Sequence, residues 1–134
     1  MESVNITELM QGSAKDAMAF AQEQNINLDL SLDSVPLVQQ LLELLQEQPM
    51  DDKTNFTLSY MLGAYLGELF IRQYGGHWLY EAEQGNEPPQ TFVVHEPYKY
   101  AFPSLVYHYL QGRQEQPLTL YFEQIAQQHS SFKN

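Results

Sequence analysis

Residues 54–83, TNFTLSYMLGAYLGELFIRQYGGHWLYEAE, decide the fold, because the apolar period changes within them. Leu58, Met61, Leu62, Tyr65, Leu66, Leu69 and Phe70 recur at i, i+3, i+4 and i+7, the spacing of one helical face. Ser59, Gly63 and Gly67 form a second stripe beside it, leaving only a narrow strip for water that holds Thr57, Glu68 and Arg72. A helix apolar around most of its circumference is a buried one. Residues 54–74 are therefore expected to form the central helix. Each interior glycine costs up to ~1 kcal/mol relative to alanine. Close backbone packing against a neighbour is the usual compensation. Gly75-Gly76 stops the helix. Beyond it, residues 77–83 alternate with a period of two, as a strand does.

Working outward, residues 90–96 repeat that alternation, and the Gly- and Pro-bearing segment 84–89 between them makes an antiparallel hairpin. Residues 98–102 extend a third short strand before Pro103. Residues 104–111 read as a helix closed by Gly112, and residues 117–128 as a last helix with Leu118, Leu120, Tyr121, Ile125 and Ala126 inward. Upstream, residues 6–24 form a first helix with Leu9, Ala14, Ala17, Met18 and Ala21 at helical spacing. Residues 28–33, LDLSLD, alternate either as a strand or as an extended lead-in. Asp33 or Ser34 then caps a second helix with Pro36 in its first turn. That helix runs to about residue 48, with Leu37, Val38, Leu41, Leu42, Leu44 and Leu45 inward and Gln39, Glu43 and Glu47 in solvent. The expected class is α+β: N-terminal helices around a central helix, then a hairpin of two to three strands, then C-terminal helices. One domain over residues 1–134 is expected, frayed at 1–5 and 129–134.

The segment Gly63-Ala64-Tyr65-Leu66-Gly67-Glu68, followed by Gly75-Gly76-His77-Trp78, resembles small bacterial proteins of unknown function in which a G-A-Y-x-G-E helix leads into G-G-x-W and a strand pair. Residues 28–45 resemble the lead-in and helix that precede it, and residues 107–122 the closing helix, glycine, polar turn and helix. The resemblance implies this order of elements and carries no chemistry with it.

Charge is the unusual feature of the composition. Six Lys+Arg face 17 Asp+Glu, a formal net charge of −11. That field repels phosphate backbones and anionic membrane surfaces, so neither nucleic acid nor membrane is expected as a partner. The favoured visitor is a basic protein or a cation, and acidity also serves simple solubility. The 134 residues include no cysteine, which excludes disulfides, thiolate catalysis and Cys-based zinc sites. No signal peptide and no spanning apolar run are read, so a cytoplasmic protein is expected. The sequons at Asn5 and Asn55 are read as chance.

Local catalytic motifs are lacking. His77, His95, His108 and His129 show no paired metal spacing. The Asp29-x-Ser31-x-Asp33 start of a calcium loop fails at its sixth position, Ser34, and its twelfth, Gln40. No nucleophile elbow or phosphate loop is present. No cofactor or metal is expected, and an enzyme is disfavoured. The candidate binding residues are Tyr65, Glu68, Arg72, His77, Trp78, His95, Tyr98 and Tyr100. Glu68 is either a ligand anchor or half of an i,i+4 pair with Arg72. Trp78 either lines a cleft or packs the helix–sheet junction. The tyrosines at 98, 100, 107 and 109 form either a recognition patch beside Glu81, Glu83, Glu87 and Glu96 or a packed layer. Two functions follow. The favoured one is a non-enzymatic interaction domain for a basic protein, of which an immunity-like inhibitor of a basic toxin is one form. The alternative is a small-ligand-binding or cryptic enzymatic domain with a cleft around Glu68 and Trp78.

Overall fold

The computed structural model describes residues 5–86, 89–113 and 116–130. The expected fraying at residues 1–4 and 131–134, and part of the expected hairpin turn at 87–88, lie outside the described residues.

The central helix, α3, is Asp52–Tyr74. It starts two residues earlier than the expected residue 54, because the Asp51 side chain accepts the Thr54 N–H at 2.8 Å and satisfies one of the orphan donors of the first turn. Gly75, at φ 92°, ends it in a conformation that L side chains rarely adopt. Helix α1 is Ile6–Glu23 and α2 is Val35–Gln46. Helix α4 is Phe102–Leu110, and α5 is Leu118–Ser130. The strands β1 (His77–Glu81), β2 (Gln90–His95) and β3 (Tyr98–Tyr100) form one antiparallel meander in the order β1-β2-β3. The architecture is α+β with helices packed on a central helix, as the period change indicates.

Helix α3 lies between α1 and α4, and α2 reaches α4 and α5. One apolar core joins all five helices and the sheet. The two interior glycines are explained by contact. A Cβ at Gly63 would overlap the backbone of Pro103 at the start of α4. A Cβ at Gly67 would overlap the Trp78 ring. Both glycines thus sit where another part of the chain touches the backbone of α3.

Several expectations need correction. Residues 28–33 form no strand: Leu30 takes φ 65° and breaks the extended run, and Leu32–Ser34 is a 3₁₀ turn. Backbone donors there find side chains instead of a ladder, Leu30 N–H on the Tyr65 hydroxyl and Ser31 N–H on Asp29. Ser34 stands at the cap position of α2 without capping it, its hydroxyl being turned to the Ser31 carbonyl and to Tyr65. Leu9, Leu44 and Leu120 face out, because Met10 with the alanines, Leu41/Leu42/Leu45, and Leu118/Phe122/Ile125 supply the buried faces. Gln39 is not free in solvent. Its Oε1 accepts the Leu118 N–H at 2.6 Å, so α2 caps the start of α5. Pro103 sits in the first turn of α4, where its missing N–H costs nothing, so the third strand stops at Tyr100. At the C-terminus α5 runs through Ser130, and His129, expected to fray, is 3% exposed. Asn55, the second sequon, is buried in α3 and is no glycan acceptor. No helix among the described residues is long and apolar enough to cross a membrane.

Candidate functional site

The sheet register fixes which side chains meet the helices. Trp78 pairs with Val93 and Val93 with Tyr100, while Tyr80 pairs with Thr91 and His95 with Tyr98. Alternation puts these residues on the helix side of the sheet. His77, Leu79, Glu81, Phe92, Val94 and Lys99 take the other side. There Lys99 pairs with Glu81 at 2.9 Å and lies 4.8 Å from the centre of the Phe92 ring.

Six of the eight candidate residues are divided among three places, and Arg72 and His77 are exposed outside them. Glu68 and Trp78 meet directly: the indole Nε1–H donates to Glu68 Oε2 at 2.7 Å, with the ring against Gly67. Glu68 therefore makes its contact with Trp78, and the one ion pair within 4.0 Å among the described residues is Lys99–Glu81. Arg72 is exposed. Its charge acts weakly on Asp29, whose carboxyl is held below the usual range chiefly by the hydroxyl and N–H of Ser31. His77 is exposed at the start of β1.

Tyr65 belongs to a different wall of α3. It is 0% exposed and receives the Leu30 N–H at 2.7 Å. Ser34 Oγ lies 2.7 Å away on its other side. The Ser34 hydroxyl donates to the Ser31 carbonyl at 2.6 Å, so the proton between the two hydroxyls is Tyr65's. Burial pushes the Tyr65 phenol above its ordinary pKa.

His95, Tyr98 and Tyr100 join a third group, an aromatic cluster with Phe70, Tyr74 and His129. The His95 and His129 rings meet edge-on at 4.5 Å. Tyr100 donates to Gln128 Oε1 at 2.8 Å and lies 2.9 Å from His129 Nε2. With the phenol proton on Gln128, His129 Nε2 carries a proton and donates to Tyr100. Burial pushes Tyr100 up to about 12, and burial together with His95 pushes His129 down. Tyr100 and Tyr109 are core residues, so this part of the tyrosine run is a packed layer. Among the described residues no three His, Asp or Glu stand together as a cation site would need.

A separate concavity lies elsewhere, and none of the eight lines it. A half-open groove of about 400 Å³ runs between the first half of α3, the start of β2 and the start of α4. Its apolar walls are Phe56, Tyr60 and Tyr107 with Pro89 and Pro103, and its polar points are Ser59, Ser104, Thr91 and Gln90. Among the described residues no charged side chain lines it. Phe56 is 63% exposed and stacks on Tyr60 at 6.3 Å. Burial raises the Tyr60 phenol, and its hydroxyl stands beside Thr91. Tyr80, 52% exposed, extends the aromatic surface on the sheet side. At the mouth, the Tyr107 hydroxyl donates to Asp52 Oδ1 at 2.7 Å, which fixes that ring and raises its phenol. Asp52 leads the influences on Tyr107, and Arg113 is the last and weakest of them. One signal for this surface stood in the sequence: Phe56 lies on the face of α3 opposite Leu58 and Leu62, where a solvated helix carries polar residues.

No protein-family model, no curated protein and no solved structure matches the chain.

Proposed function

We propose that the protein is a non-enzymatic interaction domain for a basic protein partner, and that it docks that partner at the groove bounded by Phe56, Tyr60 and Tyr107. The observation that carries this reading is Phe56, a large apolar side chain left 63% exposed beside a preformed aromatic groove. Aromatic anchors around a pocket are what protein-binding hot spots are made of. The net charge of −11 supplies the second half, since it attracts basic partners and steers their approach. The same field argues against nucleic acid. The likeness to small bacterial proteins with a G-A-Y-x-G-E helix belongs to this proposal for the order of elements only, and an immunity-like inhibitor of a basic toxin remains one form of it.

Retention of partners from source-cell lysate on the tagged chain, at low and high salt, tests the reading. A basic protein held at low salt, released at high salt and lost on a Phe56→Ser bait is the expected result. Retention that ignores both salt and Phe56 contradicts it.

A further inference from the structure

We infer that the groove between α3, β2 and α4 recognises an extended, proline-bearing, basic segment of the partner. This inference rests on the reading above and specifies the chemistry of the occupant.

Three features of the groove select such a chain. First, it is half-open and, among the described residues, lined without a charge, so a small ionic metabolite finds neither enclosure nor counter-ion on those walls. A chain that crosses it needs neither. Second, its walls are aromatic rings, with Phe56 stacked on Tyr60 and Tyr107 facing them across the groove from α4. Aromatic grooves dock polyproline II segments, whose fixed backbone loses little entropy on binding. Such a segment makes no internal hydrogen bonds, so its carbonyls seek donors, and the hydroxyl of Ser104, among the lining residues, can offer one.

Third, the charge selects the flanks of the segment. Tyr107 is tied to Asp52 at 2.7 Å, with Asp51 before it and Lys53 after it in the chain, and Arg113 acts only weakly on the same phenol. Both carboxylates are exposed at the N-terminus of α3. A Lys or Arg just outside the proline-bearing stretch meets them as the apolar residues meet Phe56. With −11 on the whole chain, an acidic segment is repelled before it arrives. Exposed Leu9, in α1 and not among the residues that line the groove, serves as a control.

The test is selection of a random-peptide display library against the full chain. The selected peptides are then synthesised and titrated with wild type, Phe56→Ser and Leu9→Ser. Both variants change exposed side chains, and unchanged emission from Trp78 verifies that each is folded. Expected is a pool rich in proline together with Lys or Arg. Each peptide should weaken at least about tenfold on Phe56→Ser and be unaffected by Leu9→Ser. A basic, Phe56-dependent pool without proline overturns this inference and leaves the broader reading standing. A pool without basic residues, one indifferent to Phe56, or no enrichment at all overturns both.

Discussion

Trp78 and Glu68 are joined by a 2.7 Å hydrogen bond that spans the passage from the central helix to the sheet. The indole ring lies where a side chain at position 67 would stand, and its N–H is held by the residue next to that gap. Helix and first strand are thereby set in one relative position, which in turn places β2 and the mouth of the groove. The pair explains the glycine at 67 and the acid at 68 through packing and one hydrogen bond.

Gly67→Ala is expected to destabilise the protein. Alanine favours a helix interior by up to ~1 kcal/mol, while overpacking a filled core costs ~1–3 kcal/mol. The Trp78 ring is buried and held at its N–H, so it cannot give way and the second effect wins. Gly12→Ala is the counterpart, because a Cβ there meets nothing within 4 Å. It should stabilise the fold by up to ~1 kcal/mol. Urea midpoints of the two variants against wild type decide both; a stabilised Gly67→Ala would refute the packing account.

At Glu68 the expected effects separate charge from hydrogen bonding. Glu68→Gln keeps an acceptor for the indole and should cost less than ~1 kcal/mol, whereas Glu68→Ala leaves a buried donor unpaired and should cost ~1–3 kcal/mol. Trp78, the sole tryptophan, reports both changes through its emission maximum. Equal losses in the two variants would mean that the charge, and not the bond, matters.

Tyr65→Phe removes the acceptor for Leu30 N–H and the partner of Ser34 Oγ in one step. The loop before α2 then loses what holds Leu30 at φ 65°. A destabilisation of ~1–3 kcal/mol is expected, with faster amide exchange at Leu30. Unchanged exchange at Leu30 would show that the turn holds without the phenol.

Stability should fall as pH drops below 6.5. The folded-state pKa of His129 is lowered by burial and by His95, so between it and the unfolded value of 6.5 the unfolded chain binds more protons. The contribution is complete above 6.5 and is lost progressively on acidification. Asp29 and Asp51, whose pKa values are lowered by Ser31 and Thr54, act in a separate window that opens only below 3.8. Melting temperatures of wild type and His129→Gln between pH 7.5 and 5.5 test this, the variant losing most of the slope. An unaltered slope in the variant would assign it to another group.

The sequence carried the architecture well, for a physical reason. In α3 the apolar period is long and uninterrupted, and the glycine pair marks where it turns into strand alternation. The lead-in at 28–33 was ambiguous because two-residue alternation also fits a loop whose donors are taken up by Tyr65 and Asp29, contacts 35 and two residues away in the chain. The glycines at 63 and 67 announced close approach, but the identity of what approaches, Pro103 and Trp78, is a tertiary fact. The groove was hidden for the same reason. Phe56, Thr91 and Tyr107 come from three elements, and only packing brings them to one surface.

The most direct test of docking at the groove is a map of backbone amide shifts in the full chain as the basic protein retained at low salt is added. The account predicts that the perturbed amides cluster at Phe56, Tyr60, Thr91, Ser104 and Tyr107, and that Phe56→Ser abolishes the pattern. Perturbations centred on His77, Trp78 and Glu68, with the groove silent, would contradict it and move the binding surface to the helix–sheet junction.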